Sequence, residues 1–240
     1  MDLLCLRPAV QVLRRVYSAI VRPLFRVFYM RRTRRTHIGD IRLSVPPGVF
    51  HPGVFVSSRM LARHVGSLQL RGTRVLDMGT GSGVVGIFAE KAGALVLATD
   101  INPVAVMTAT KNAALNHCSN FSARVSDLFE AIDTHEGFDL IAWNPPFYAS
   151  VPTDIPSHAW YAGSRYAVIR RFAAVASDHL RPGGAALLVL SSDLDLPQLF
   201  LIFAENLWRA NVLELRKGIF EDHLLVSLTR CGPVGGLSGG

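Results

Sequence analysis

The feature that most constrains the fold is a short apolar run that ends in a glycine-rich turn, over residues 74–86. Val75, Leu76 and Met78 suit a strand that is covered on both faces, as in a parallel sheet. The glycines that follow permit positive φ and remove the β-carbons that would keep a ligand away from the backbone. A helix is predicted over about 84–92, and its free N–H groups would point at whatever occupies the turn. The segment therefore predicts a strand, a ligand-binding turn and a helix.

Two carboxylates flank this turn. Asp77 directly precedes the glycines, and Asp100 ends the next predicted strand, 17 residues beyond Gly83. An acidic side chain at about that distance commonly meets ribose hydroxyls. The spacing Gly81-x-Gly83-x-x-Gly86 also fits a dinucleotide fingerprint, but a carboxylate beside the turn would repel a pyrophosphate. The pattern therefore favours a ligand with a cationic amino acid end and a ribose; a tight turn without a ligand is the alternative.

A second motif, Asn144-Pro145-Pro146-Phe147, follows the apolar run 138–143 and begins 61 residues beyond the glycine turn. The Asn144 side-chain oxygen and the Pro145 carbonyl can each accept one N–H of a flat NH2 group, which orients the nitrogen lone pair. Consecutive prolines fix φ, and the Phe147 ring offers a flat face for stacking. An ordinary turn is the alternative, because Asn and Pro both favour turns. Combined with the glycine turn, the motif predicts a site that grips a conjugated amine.

Together these motifs resemble those of the class I S-adenosylmethionine-dependent methyltransferases, over about residues 46–230. The resemblance implies that the turn holds the methionine part of S-adenosyl-L-methionine, that Asp100 binds its ribose and that Ile101 packs on its adenine. It places Asp127 at the adenine amino group, although this aspartate alone would be read as a loop residue. The implied cofactor-binding residues are Asp77, Gly79, Thr80, Gly81, Gly83, Asp100, Ile101, Asp127, Leu128 and Asn144.

The second motif is similar to that of enzymes that methylate planar nitrogens, which implies catalytic roles for Asn144, Pro145, Pro146 and Phe147. Those enzymes include release-factor glutamine methyltransferases and methyltransferases of adenine N6 or guanine N2. The resemblance favours a protein glutamine amide as the acceptor, with a nucleobase amine in ribosomal or transfer RNA as the alternative. A small-molecule acceptor stays open. Two rivals come from other classes: a nicotinamide-dependent oxidoreductase and an RNA-binding protein without catalytic activity.

The segment 48–58 occupies the place of a Pro-containing cofactor loop in the glutamine methyltransferases. Pro52 matches that loop, its acidic residues are missing, and Ser57 or Ser58 can replace its threonine. This departure from the family pattern affects the prediction of the acceptor more than the prediction of the cofactor. His51, next to Pro52, is predicted to be a surface loop histidine rather than a catalytic base.

Charge divides the chain into two parts. Residues 1–72 contain 13 arginines and two acids, a net charge of +11, whereas the remainder carries a net charge of −4. Residues 3–30 read as a basic amphipathic helix, followed by four arginines within 31–35. This extension can pack on the catalytic domain with its arginines in solvent. The alternatives are contact with RNA phosphates and contact with an anionic membrane surface.

The three cysteines, Cys5, Cys118 and Cys231, are far apart and lack the spacing of metal ligands. They predict a reduced, cytoplasmic protein without a bound metal. The sequence contains no run of 18 apolar residues, so no transmembrane helix is predicted.

Alternating strand and helix patterns predict a Rossmann-like α/β fold with a doubly wound, mainly parallel sheet of seven strands. The expected strands are 74–78, 94–99, 121–125, 138–143, 184–191, 211–216 and 223–229. The expected helices are 84–92, 103–116, 165–180 and 196–206. Only six residues separate the last two strands, so these must pair as an antiparallel hairpin.

A further short strand or hairpin is expected over 37–45, before the catalytic domain. The predicted domains are a basic extension at 1–45, a methyltransferase domain at 46–230 and a flexible tail at 231–240.

Overall fold

A computed structural model describes residues 32–49, 51–52, 56–146, 166–218 and 221–231. The predicted basic helix at 3–30, Phe147 and the predicted tail after residue 231 lie outside the described residues. Within the described part of the chain, no helix is both long enough and apolar enough to cross a membrane.

Strands and helices alternate as the sequence predicts. The strands are β1 (Arg34–Ile38), β2 (Ile41–Val45), β3 (Arg74–Met78), β4 (Leu95–Asp100), β5 (Phe121–Val125), β6 (Phe138–Trp143), β7 (Leu180–Ser191), β8 (Trp208–Arg216) and β9 (His223–Arg230). The helices are α1 (Val56–Gly66), α2 (Val84–Lys91), α3 (Pro103–Leu115), α4 (Ala167–Val175) and α5 (Leu196–Glu205). A short 3-10 helix, Ala176–His179, continues α4.

Seven of the described strands form one sheet in the order β5-β4-β3-β6-β7-β9-β8. The strands from β5 to β7 in this order pair in parallel, whereas β9 pairs antiparallel with both β7 and β8. The predicted doubly wound sheet and its C-terminal antiparallel hairpin are therefore confirmed. The strand order reverses around β3, which lies between β4 and β6, and such a switch point opens a crevice at the carboxyl ends of the strands.

Strands β1 and β2 form a separate antiparallel hairpin, which confirms the strand or hairpin predicted before the catalytic domain. Asn112 of α3 and Asn116, directly after this helix, bind the backbone of the hairpin. Asn116 Oδ1 accepts from the Arg42 N–H and Asn112 Oδ1 from the Ser44 N–H, each at 2.9 Å. The apolar residues of the hairpin pack in one core with residues of β3 and α2; they are Ile38, Ile41, Leu43 and Val45. The domain boundaries after residues 45 and 230 stay predictions.

Helices cover both faces of the large sheet. On one face α1 and α2 pack with the hairpin, and on the other α4 and α5 pack over β6 and β7. Val75 and Leu140 belong to the core on the side of α1 and α2, and Leu76 and Ile141 to the core on the side of α4 and α5. All four residues are buried. The strands read as continuous apolar runs because both of their faces are covered.

Helix α1 differs from the sequence prediction, which reads residues 48–58 as a loop. Met60, Leu61 and Val65 are at most 2% exposed and pack in the core beside α2. The glycines and prolines just before α1 are loop signals, and they obscure the start of the helix in the sequence. His51 is only 4% exposed, so the prediction of a surface histidine is wrong.

Candidate active site

A cavity of about 120 Å³ lies at the carboxyl ends of β3, β4 and β6, where the strand order reverses. Both predicted motifs contribute to its lining. The predicted site residues that line it are Asp77, Gly79, Thr80, Gly81, Asp100, Ile101, Asp127, Leu128, Asn144, Pro145 and Pro146. Gly83 does not line it, and Phe147 lies outside the described residues. The sequence did not predict the lining residues Ala105 and Val168, which carry no local signal of a ligand site.

Asp77 stabilises the glycine turn through two hydrogen bonds. Its Oδ2 accepts the Thr80 hydroxyl at 2.6 Å and the Gly86 N–H at 2.9 Å. The Thr80 N–H donates in turn to the Thr99 carbonyl at 2.9 Å, which ties the turn to the end of β4. Gly79, whose φ is +62°, follows β3 directly and takes the left-handed conformation that glycine adopts most readily. The sequence therefore folds into a rigid cradle at the switch point.

The later glycines of the motif serve close packing. A Cβ on Gly83, whose φ is +85°, would lie 2.9 Å from the Cα of Ala109 on α3. A Cβ on Gly86 would lie 2.7 Å from the Phe121 ring. These glycines let α2 approach α3 and the sheet closely, while the predicted contact of Gly83 with a cofactor stays a prediction.

Asp77 is 2% exposed, and burial raises the pKa of its carboxyl group to about 7. Hydrogen bonds from Thr80 and Gly86 act in the opposite direction, and the nearby Asp100 raises the pKa further. A buried carboxylate is stabilised when a cation lies beside it. The cavity therefore suits a ligand with a positive charge close to Asp77.

Asp100 presents its carboxylate to the same cavity from the end of β4. Its Oδ2 accepts the Gly81 N–H and its Oδ1 the Asn102 N–H, both at 2.9 Å. Burial raises the pKa of Asp100, and these two hydrogen bonds lower it. Each oxygen keeps a second acceptor position, so the pair can accept hydrogen bonds from two neighbouring hydroxyl groups.

Asp127 and Leu128 line the cavity beyond the end of β5. Arg171 of α4 donates to Asp127 Oδ2 and to Glu130 Oε1, both at 2.9 Å. Leu128 has a φ of +51°, a left-handed conformation that is costly for leucine and that concentrates at functional sites. The Ser126 hydroxyl donates to the Leu128 carbonyl at 2.9 Å and holds this conformation.

The side chain of Asn144 is held by α1. Its Nδ2 donates to Ser57 Oγ at 3.2 Å and to Ser58 Oγ at 3.1 Å. Its Oδ1 is buried and has no hydrogen-bond partner among the described residues. The backbone bonds of the described part include none to the adjacent Pro145 carbonyl. A buried acceptor without a donor costs about 1–3 kcal/mol, so this pair of oxygens suits the N–H groups of a ligand.

Two of the three cysteines are described, and both Cys118 and Cys231 are free thiols. Burial raises the pKa of Cys118 to about 12, which keeps this thiol protonated and unreactive at neutral pH. In the described part of the chain, no three or more His, Cys, Asp or Glu side chains form a group that could hold a metal ion.

The family of the chain follows from its sequence and agrees with this geometry. The family described as methyltransferase small domain matches residues 40–219, well over half of the chain. This chain belongs to that family. The predicted resemblance to methyltransferases is therefore confirmed, and so is the predicted enzyme class at the level of the family.

Named relatives of this methyltransferase small domain protein act on proteins and on RNA. A release factor glutamine methyltransferase of Cereibacter sphaeroides is 36% identical over 152 residues, which are 58% of this chain and 54% of the relative. A ribosomal RNA small subunit methyltransferase C of Hamiltonella defensa is 32% identical over 170 residues, covering 69% of this chain and 46% of the relative.

A solved relative has the same fold. It is a 16S rRNA N2 methyltransferase of T. Thermophilus in complex with AdoMet and guanosine, with 25% identity and a TM-score of 0.63 over 83% of this chain and 50% of that chain. The chain thus spans about half the length of these three relatives.

Proposed function

We propose that this protein transfers a methyl group from S-adenosyl-L-methionine to the nitrogen of a planar NH2 group, and that the acceptor is a glutamine side-chain amide in a protein. The observation that carries the proposal is Asn144 Oδ1, a buried acceptor that has no partner in the described part of the chain and lies on a residue that lines the cavity, beside the Pro145 carbonyl. The glutamine methyltransferase among the relatives supports this choice of acceptor.

The residues that line the cavity fit S-adenosyl-L-methionine. Asp77 would face the α-ammonium group of its amino acid end, Asp100 the two ribose hydroxyls, and Asp127 with Leu128 the adenine ring. The unusually high pKa of Asp77 supports this placement, because a neighbouring cation would stabilise the ionised form. When bound, the cofactor supplies an electrophilic methyl group on a positively charged sulfur.

The chain itself contributes mainly orientation. The lone pair of an amide nitrogen is delocalised, so this nitrogen is a poor nucleophile. Asn144 Oδ1 and the Pro145 carbonyl would each accept one of its N–H groups, which fixes the amide plane and stabilises the positive charge that develops on nitrogen. As the N–CH3 bond forms, the S–CH3 bond breaks and S-adenosylhomocysteine is the leaving group; the cationic nitrogen then loses its proton to water, so no strong base is required of the chain. Alignment can supply effective molarities of roughly 10⁵ M or more.

An exocyclic amine of an RNA base is the second candidate acceptor. The solved relative that contains guanosine and the ribosomal RNA relative favour it. A nucleobase amine is planar and conjugated like an amide, so the same two oxygens could hold it. The net charge of +11 on residues 1–72 would attract RNA phosphates, and contact of the Arg-rich segment with an anionic membrane is the alternative role of that charge.

The proposal is tested by methyl incorporation from radiolabelled S-adenosyl-L-methionine into the protein and RNA fractions of a cell extract. We expect label in protein glutamine, and Asn144→Ala should lower kcat by about 10²–10³-fold because one charge-stabilising contact is lost. The Kd of S-adenosylhomocysteine should stay within about threefold of the wild-type value, since the proposal assigns Asn144 mainly to the acceptor and only a minor share to the cofactor contact that the resemblance implies. Asn206→Ala, at the end of α5, is the matched control with unchanged kcat.

Three results would overturn the proposal in different ways. Label confined to RNA would replace the glutamine by a nucleobase amine as the acceptor. Full activity of Asn144→Ala would remove the assigned role of this side chain. Absence of S-adenosylhomocysteine binding to the wild-type protein would exclude the cofactor. Mass spectrometry of proteins and nucleosides from cells with and without this protein then identifies the methylated site.

A further inference from the structure

We infer that Ser57 and Ser58 are positioning residues for methyl transfer, because they fix the side-chain amide of Asn144 with its oxygen toward the acceptor. The inference rests on the proposed function, in which Asn144 Oδ1 accepts an N–H of the acceptor. It adds two side chains of α1 that act through Asn144.

The direction of the Asn144 amide decides whether the site can bind an NH2 group. A half-turn of an asparagine amide exchanges its oxygen and nitrogen with almost no change in shape. In the reversed direction Nδ2 would meet the acceptor, and two N–H donors would then face each other. Only the direction seen here, with Nδ2 toward α1, offers an acceptor for the incoming N–H.

The two serine oxygens match the two hydrogens of Nδ2. The Nδ2 to Oγ distances are 3.2 Å for Ser57 and 3.1 Å for Ser58, so both hydrogens are used. In the observed direction, Oδ1 is the one atom of the Asn144 amide without a partner among the described residues. A serine hydroxyl can also donate, so in the reversed direction Oδ1 could accept from both serines, but the two N–H groups of Nδ2 would then have no partner in the described site.

The residue types on α1 support this role. The other buried residues of α1 are apolar; they are Met60, Leu61, Ala62 and Val65. Ser57 and Ser58 are 0% and 6% exposed, and packing alone would favour apolar side chains at both positions. A buried hydroxyl is normally hydrogen-bonded, and the partner that both hydroxyls share is Asn144.

The test uses the full chain with Ser57→Ala, Ser58→Ala and the double variant. We expect kcat to fall about 3–10-fold in each single variant, the effect of one lost hydrogen bond. The double variant should fall by about 100-fold, similar to removal of Asn144 itself. Ser58→Thr keeps the hydroxyl and should restore kcat to within about threefold of the wild type. The Kd of S-adenosylhomocysteine should stay within about twofold in every variant.

Ser122→Ala is the matched control. Its hydroxyl donates to the Val96 carbonyl at 3.2 Å, and it does not line the candidate cavity. Its removal costs one partly buried hydrogen bond without touching Asn144, so kcat should equal that of the wild type.

Two measurements separate positioning from general destabilisation. In an Asn144→Ala background, the double serine variant should lose no further activity, because residues that act as a unit are not additive. Without any substrate, the Nδ2 protons of Asn144 should exchange with solvent about tenfold faster in the double variant, as expected when about one hydrogen bond protects them. Nuclear magnetic resonance reports this exchange, with Asn144→Asp identifying the signal.

An unchanged kcat in the double variant, or an equal further loss in the Asn144→Ala background, would overturn the inference. Unchanged exchange of the Nδ2 protons would do the same, and that measurement is valid even for a chain without activity. Absence of methyl transfer by the wild type would instead overturn the proposed function, so the two failures can be distinguished.

Discussion

Asp77 is the residue in which burial and function conflict most directly. Its pKa is about 7 in the folded protein against an ordinary value of 3.8, so the folded state binds a proton more tightly than the unfolded chain. This contribution to stability is complete below pH 3.8 and is lost as the pH rises through about 7. A neutral residue of the same shape would avoid the loss.

We therefore predict that Asp77→Asn raises the free energy of unfolding at pH 8 by about 1–3 kcal/mol. The asparagine oxygen can still accept from Thr80 and Gly86, while the buried charge is removed. Urea denaturation measures this gain, and the exposed Asp178→Asn is the control without an effect. Titration calorimetry should show S-adenosylhomocysteine binding weakened at least about tenfold, since the partner of its ammonium is gone. A less stable Asp77→Asn protein would contradict the prediction.

The same carboxyl group predicts a pH dependence of binding. Below a pKa of about 7 the free site holds a neutral Asp77, whereas the ammonium end of the ligand needs the ionised form. The Kd of S-adenosylhomocysteine should thus increase about tenfold for each pH unit below about 7 and level off above it. Calorimetry between about pH 5.5 and 8 measures this profile. In the wild type a flat profile would contradict the prediction, and Asp77→Asn should remove most of the slope.

At the scale of elements, the contact of α2 with α3 depends on a missing side chain. An alanine at position 83 would place its Cβ 2.9 Å from Ala109 Cα and 3.0 Å from Ala109 Cβ, in a backbone with φ +85°. Gly39, in the turn between β1 and β2, has φ +58° but nothing within 4 Å of an added Cβ. The two glycines differ mainly in steric crowding.

We predict that Gly83→Ala lowers the free energy of unfolding by about 3–5 kcal/mol, the sum of backbone strain and overpacking. The matched variant Gly39→Ala should lose only about 1–2 kcal/mol, because backbone strain acts alone there. Chemical denaturation of both variants gives the difference. Equal losses in the free energy of unfolding would contradict the prediction, because they would show that α2 and α3 can move apart at little cost.

The elements that the sequence predicts best are short apolar strands with clear turns at both ends. The predicted bounds of β3, β5 and β6 agree with the structure, because an apolar run between polar or glycine residues signals its own limits. Strand β7 begins at Leu180 rather than 184, because Pro182 and two glycines read as a turn. Helix α1 was missed because its first turn carries buried serines instead of an apolar stripe.

The candidate site was also predictable only in part: the motifs were found from the sequence, and the contacts between distant residues were not. Each motif could be found because its residues are neighbours in sequence, and the sheet then brings the ends of β3 and β6 together. The hydrogen bonds of Asn144 to α1 span 86 and 87 residues, and the ion pair of Asp127 with Arg171 spans 44. No local pattern encodes such pairs, because they form only when tertiary packing places the two elements side by side.

For the whole molecule, the proposed cofactor site lies where three adjacent strands end, so a ligand there should stabilise the entire fold. Asp77 is the last residue but one of β3, Asp100 is the last residue of β4 and Asn144 directly follows β6. These three strands are neighbours in the sheet. A ligand that binds the ends of β3 and β4 binds the folded state and not the unfolded chain.

S-adenosylhomocysteine at about 100 times its Kd should add about 2.7 kcal/mol of stability. For a chain of this size that corresponds to an increase in Tm of about 5–11 °C, measurable by thermal denaturation. Asp100→Asn should lose most of the shift, because the carboxylate that is expected to accept the ribose hydroxyls is gone. NADH should give none, since its pyrophosphate would approach the buried carboxyl group of Asp77 at the glycine turn. A shift with NADH but not with S-adenosylhomocysteine would therefore assign the cavity to a nicotinamide dinucleotide, against the family to which the chain belongs.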